Sequence, residues 1–168
     1  MHRTHLDDFE PVPSLTIALP DEAATLEFGK NFAACLHAGL IVFLYGNLGA
    51  GKTTLTRGIL HGLGYTHSVK SPTYNLVEIY NFSQLYLYHF DFYRFSDFLE
   101  WEEAGFREYF NLESICLVEW PENAGNFLPT ADLQIFLDIL ETGRNLEVRA
   151  GTETGKRCLE TWKNRETS

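Results

Sequence analysis

Three cysteines in 168 residues, Cys35, Cys116 and Cys158, are too few and too odd in number to form a disulfide scaffold. No two of them have metal-ligand spacing. Each lies among apolar neighbours, so all three read as buried thiols of a reducing compartment. Basic residues are also scarce, with 13 Lys and Arg against 23 Asp and Glu and a formal net charge of −10. Such a balance repels a phosphate backbone, and stable binding of RNA or DNA by the chain alone is not expected. No apolar run reaches membrane-spanning length. The opening stretch from Met1 to Asp8 lacks the apolar core of a secretory signal, so a cytoplasmic location is expected. Repeats and low-complexity tracts are missing, which excludes solenoids and linkers. At this length one hydrophobic core suffices, with roughly 70% of the unfolded surface buried.

What is present is an ordered alternation of strand and helix signals. Residues 1–13 are polar, carry Pro11 and Pro13, and form a tail ahead of one domain over 14–168. Residues 15–19 alternate as a short strand. Asp21 then caps a helix expected to run towards Gly39. Residues 40–45 form an unbroken apolar run ending at Gly46, as in a strand buried on both faces of a parallel sheet. A helix over 53–63 follows, and the glycines at 62 and 64 end it. Two alternating stretches, 74–80 and 84–92, flank the turn Asn81-Phe82-Ser83 as a β-hairpin. A short acidic helix over 97–104 stops at Gly105, and its Trp101-Glu102-Glu103 reads as a solvated face. A second buried strand covers 114–119. A hairpin over 132–140 and 146–150 precedes a closing helix over 154–162. The fold class is therefore α/β: a mixed, mainly parallel sheet flanked by helices and carrying antiparallel hairpins.

Between the first buried strand and its helix lies Gly46-Asn47-Leu48-Gly49-Ala50-Gly51-Lys52-Thr53, the spacing of a P-loop. A polyphosphate needs several backbone N–H groups pointing inward, and glycines let the chain curl that tightly. The helix behind adds its N-terminal dipole. Lys52 offers a point charge to the β- and γ-phosphates, and the Thr53 hydroxyl offers a ligand to Mg²⁺. Chance produces this spacing in roughly one chain of this length in a couple of hundred. The expected contacts to ATP are Asn47, Leu48, Gly49, Ala50, Gly51, Lys52, Thr53 and Thr54. Lys52 is expected on a solvent-facing loop.

A P-loop ATPase also needs a carboxylate at the end of a neighbouring strand. Asp91 ends one candidate strand, flanked by His89 and Arg94. Glu119 ends the other, after a purer apolar run. Both are assigned to the metal. One binds it directly or through water, and the other does the same or orients the attacking water. Lys70-Ser71-Pro72-Thr73-Tyr74 lies about twenty residues beyond the loop. Thr73 there can close on the γ-phosphate as a switch threonine does, and Lys70 can face phosphate; the alternative is a plain proline turn. Trp120, directly after Glu119, is either a core or hinge aromatic or a nucleotide sensor. His2, His5, His37, His61 and His67 show no ligand pattern.

Taken in order, Gly-x-Leu-Gly-Ala-Gly-Lys-Thr-Thr, Val-Lys-Ser-Pro-Thr-Tyr-x-Leu-Val-Glu, Tyr-His-Phe-Asp-x-Tyr-Arg and Ile-Cys-Leu-Val-Glu-Trp-Pro-Glu resemble the bacterial TsaE (YjeE) family. These motifs span residues 46–122 and are far more specific than a P-loop alone. The resemblance implies an ATPase of tRNA threonylcarbamoyladenosine biosynthesis that works with TsaB and TsaD. TsaD would transfer the threonylcarbamoyl group to an adenosine beside the anticodon, and tRNA would be met only through that complex. It also implies roles for Lys52 on phosphate, for Thr53, Asp91 and Glu119 around Mg²⁺, and for Trp120 near the nucleotide. Phe92 departs from the leucine more common in the family, as does the extended tail through Pro13. Two rival functions share the loop, a small-molecule kinase and a non-hydrolysing nucleotide-dependent scaffold. Scattered arginines, with Arg144 and Arg149 flanking an ordinary hairpin, argue against a kinase lid. The presence of both carboxylates argues against the scaffold.

Overall fold

A computed structural model describes residues 13–72 and 75–166. The elements run in the order β1 (Ser14–Leu19), α1 (Glu22–Phe32), β2 (Ile41–Tyr45), α2 (Lys52–Gly62), β3 (Val77–Asn81), β4 (Tyr86–Asp91), α3 (Phe98–Ala104), β5 (Ser114–Glu119), β6 (Leu133–Ile139), β7 (Arg144–Ala150) and α4 (Glu153–Glu166). The strands form one seven-stranded sheet in the order β1-β7-β6-β2-β5-β4-β3. Its centre, β6-β2-β5-β4, is parallel. Antiparallel pairs close both edges: β3 on β4, and β7 and β1 beyond β6. The expected mixed α/β sheet with hairpins is what the chain forms.

Burial explains the strand chemistry. β2 and the interior of β5, from Ile115 to Val118, are apolar because both of their faces are covered. One face carries Phe28, Phe32, Leu55, Ile59, Leu159 and Trp162 from α1, α2 and α4. The other carries an aromatic cluster of Phe90, Phe92, Phe95, Trp101 and Phe106. Phe92 is fully buried there, 5.3 Å from the Phe95 ring and 6.1 Å from Trp101, so the bulkier side chain fills a core site. Trp101 corrects the reading of its helix as a solvated face. It is 1% exposed, because α3 turns this one residue inward while Glu102 and Glu103 stay in water. All three cysteines are buried and free.

Local signals set the helix ends. The Asp21 carboxylate accepts from the Ala24 N–H at 2.8 Å, and Asp97 does the same for Glu100 at 3.0 Å. Gly105 ends α3 in the left-handed conformation. α1 stops at Phe32, short of Gly39. The chain tightens into a 3₁₀ turn at Ala33–Cys35, whose last carbonyl accepts from the Cys158 thiol at 2.9 Å. Residues 1–12, most of the expected tail, lie outside the described residues. The Pro13 carbonyl already accepts from Ala150 N at 2.9 Å.

β7 begins at Arg144 rather than at residue 146, because β1 and β6 hold its first residue from both sides, through Leu19 and Ile139. The turn before it is pressed against the β1–α1 junction. Gly143 has φ +79°, and a Cβ there would collide with the Leu19 carbonyl oxygen and lie 2.9 Å from Pro20 Cα. Gly143→Ala should lower the unfolding free energy by about 2 kcal/mol, from left-handed strain plus overlap. Urea denaturation measures it. A variant as stable as the parent would show that the turn does not press on the junction.

Candidate functional site

Parallel strands aim their C-terminal ends the same way, so whatever follows β2, β4 and β5 gathers at one rim of the sheet. β2 runs into the glycine loop, and β4 and β5 end at Asp91 and Glu119. These two carboxylates are register partners on adjacent strands. They open with the loop into a cleft of about 540 Å³. Its walls include Leu48, Gly49, Ala50, Gly51, Lys52, Thr53, Thr54, Ser71, Asp91, Glu119 and Trp120. The sequence-assigned residues thus converge, with three exceptions. Asn47 lies in the adjoining depression with Tyr45, Glu122 and Asp138. Lys70 is not on the cleft wall; its backbone is pinned by the Tyr80 hydroxyl, which donates to the Lys70 carbonyl at 3.2 Å and accepts from its N–H at 3.3 Å. Thr73 lies outside the described residues.

The loop has the backbone that a polyphosphate cradle requires. Gly51 has φ +109° and starts α2 directly, so the helix N-terminus faces the cleft. Thr53 reaches Ser71, the two hydroxyl oxygens 3.4 Å apart. Thr54 donates to Glu22 Oε1 at 3.3 Å, tying α2 to the start of α1.

Lys52 does not sit on a solvent-facing loop. It is 6% exposed. Its ammonium donates to the Gly46 carbonyl at 2.6 Å, lies 3.7 Å from Glu119 Oε1, and stands 4.3 Å above the Trp120 ring centroid. The reason is tertiary. β5 brings Glu119 beside the root of α2, and a cation near a carboxylate and an aromatic face is better placed there than in the open.

Glu119 is gripped on its other oxygen as well. His89 Nε2–H donates to Glu119 Oε2 at 2.6 Å, and His89 is fully buried. In the sequence His89 stands out only as a polar neighbour of Asp91. A signal existed: His89 is two residues before Asp91 on one strand, hence on the same face. Asp91 is half-buried, and burial pushes its carboxyl above the ordinary value. The Tyr93 backbone N–H, donating at 2.9 Å, pulls the other way, and the Glu119 charge pushes up again. Two carboxylates side by side disfavour joint ionisation, and a cation beside them relieves this.

Trp120 has φ +55°, an uncommon conformation for a tryptophan, and it turns the ring over Lys52 and to 5.1 Å from Tyr93. Asn123 ties this turn to the one after β4, donating to the Phe92 carbonyl at 2.9 Å. Arg144 is a further member of the cleft wall. It does not merely flank a hairpin: its guanidinium donates to the carbonyls of Ala50 at 3.0 Å and Gly49 at 3.1 Å, and it lines the cleft. No local pattern signals a contact 94 residues away in the chain.

A parallel-centred sheet, a glycine loop running into a helix and paired acidic strand ends define a P-loop NTPase-type protein. The model of the family described as "Threonylcarbamoyl adenosine biosynthesis protein TsaE" matches residues 19–146, and the chain belongs to this TsaE family. The tRNA threonylcarbamoyladenosine biosynthesis protein TsaE of Haemophilus influenzae is 48% identical over 156 residues, covering 90% of this chain and 99% of that one. The TsaE protein of Bacillus subtilis is 44% identical over 118 residues, 70% of this chain and 72% of that one. The crystal structure of Bacillus subtilis YdiB superimposes with a TM-score of 0.81 at 31% identity, covering 94% of this chain and 99% of that one.

Proposed function

We propose that the chain binds ATP with Mg²⁺ in this cleft, hydrolyses it, and thereby supports threonylcarbamoyl transfer to an adenosine next to the anticodon of tRNA, acting with TsaB and TsaD proteins. The observation that carries this reading is the meeting of Lys52, Thr53, Asp91 and Glu119 at one cleft, from three separate strand ends. Family membership supports the place in tRNA modification.

The donor set suits magnesium. A hydroxyl and two carboxylates are hard oxygen ligands, too few for a closed cage but enough when phosphate and water complete the shell. Among the described residues no group of three or more His, Cys, Asp and Glu could hold a metal alone, which fits an ion carried in with the nucleotide. When bound, Mg²⁺ would neutralise charge on the β- and γ-phosphate oxygens. Thr53, Asp91 and Glu119 would hold it directly or through water. Lys52 would turn from Glu119 to the phosphates. Glu119, freed on one oxygen and still held by His89 on the other, would orient the attacking water. A kinase reading gains nothing from the two hairpin arginines: Arg144 is held by the loop carbonyls, and Arg149 lies over Phe136 and bonds Glu147 at 2.6 Å.

The net charge of −10 supports meeting tRNA only through the partner complex. Among the described residues no helix is long and apolar enough to cross a membrane, and a tRNA-directed role would put the protein in the cytoplasm. The test is a reconstituted reaction with TsaB, TsaD, tRNA, ATP and a threonylcarbamoyl donor. Multiple turnovers of modified adenosine should require this protein, while a gel shift should show no tRNA binding by it alone at physiological salt. Equal turnover without it would refute the reading, and tight binding of tRNA by the isolated chain would refute the indirect route.

A further inference from the structure

Alternate residues of a strand share a face. On the face of the sheet covered by α1, α2 and α4, β4 sets Leu87, His89 and Asp91 in line, and β5 sets Ile115, Leu117 and Glu119. Leu87, Ile115 and Leu117 are fully buried there. His89 is fully buried as well, so an imidazole stands where the pattern calls for one more aliphatic side chain. Its Nε2–H donates to Glu119 Oε2 at 2.6 Å. Its Nδ1 is buried and has no hydrogen-bond partner among the described residues. For the fold alone this is a poor arrangement, because a half-satisfied buried ring costs free energy that a leucine would not. The polar group that His89 does hold is the end of Glu119.

That bond decides what Glu119 can do. With Oε2 fixed against β4, Oε1 is the oxygen left for the cleft. Oε1 lies 3.7 Å from the Lys52 ammonium. When Lys52 turns to the phosphates of a nucleotide, this ion pair draws Glu119 after it. A carboxylate that followed would be pressed against phosphate oxygens of its own charge. It would also leave the place from which it can accept from a water. The bond from His89 opposes that movement, because a short hydrogen bond to an ionised acceptor is among the stronger ones, and a buried setting strengthens it further.

We propose that His89 is a positioning residue for hydrolysis: it acts through Glu119, keeping that carboxylate in place for the attacking water while Lys52 moves, and it takes no part in binding the nucleotide. The proposal rests on the reading of the cleft as an ATPase site and adds a residue outside its wall. His89 is not among the described residues that line the cleft, so its effect on the reaction passes through Glu119.

Two amides of different reach test this in the full chain. His89→Gln can set its side-chain N–H near the place of Nε2 and donate to Glu119. His89→Asn carries the same amide one methylene shorter and falls short. Each is measured for the Kd of Mg-ATP by isothermal titration and for the single-turnover rate of hydrolysis at saturating Mg-ATP. His89→Asn should slow hydrolysis by roughly tenfold to a hundredfold, the range for a partner that orients a metal-site side chain from behind. Its Kd should stay within about threefold of the parent, since an interaction that matters only in the transition state shows in the rate and not in binding. His89→Gln should recover most of the rate. In a Glu119→Gln background, His89→Asn should change the rate by less than about twofold, because residues that act as one unit are not additive. If His89→Asn is poorly folded by circular dichroism, His89→Leu fills the site without a donor and takes its place in every comparison. A merely structural role would move Kd and rate together and would cost Gln as much as Asn. Either of those results overturns the proposal, as does a parent rate in the donor-less variant or an undiminished loss in the Glu119→Gln background, and the ATPase reading then still stands. A parent that neither binds nor hydrolyses Mg-ATP overturns both.

Discussion

Lys52→Ala should weaken Mg-ATP binding by about a hundredfold and bring hydrolysis to background, because one charge-assisted partner of the phosphates is lost with no replacement in a site of low water access. The structure adds a second consequence. Lys52 is a buried partner of Glu119, so its removal leaves that carboxylate with His89 alone. Some loss of stability is therefore expected, and a companion variant separates the two effects. Lys52→Met keeps an unbranched stem against Trp120 and lacks only the charge. Both variants should fail equally in isothermal titration and in single-turnover hydrolysis, while the methionine variant should melt closer to the parent. Hydrolysis at the parent rate by either variant would end the phosphate-loop reading.

The second large effect is expected at the paired strand ends. Glu119→Gln and Asp91→Asn keep shape and remove charge. Each should slow Mg²⁺-dependent hydrolysis by about two orders of magnitude if the group acts on the metal or the attacking water in the transition state. The fold should hold, because the amide oxygen introduced by Glu119→Gln can still accept from His89, and the one introduced by Asp91→Asn can still accept from the Tyr93 N–H, as the carboxylates do now. Rates under saturating Mg-ATP decide it. If only one variant slows, the site reduces to a single metal-binding carboxylate, and if both remain fully active the chemistry lies elsewhere.

These two predictions differ in how far the sequence alone could carry them. The importance of Lys52 follows from the spacing of its own loop. That Asp91 and Glu119 lie side by side does not. They lie on strands separated by α3, and nothing local states that β5 inserts between β2 and β4, bringing the two carboxylates into register. Once that order is known, the site follows from strand direction.

By itself the sequence determined most of the elements and the glycine spacing of the loop. Apolar runs read as covered strands, Asp21 as a cap, Gly105 as a stop and Gly46 to Thr53 as a loop of phosphate-cradle spacing, because each depends on backbone needs met within a few residues. Only the tertiary structure decided the burial of Lys52 between Glu119 and Trp120, the grip of His89 on Glu119, the inward turn of Trp101 and the reach of Arg144 to the carbonyls of Gly49 and Ala50. The Lys52, His89 and Arg144 contacts join residues far apart in the chain, and their free energy is set by which surfaces the folded sheet brings together. Periodicity reports which face of an element is buried, but not against what.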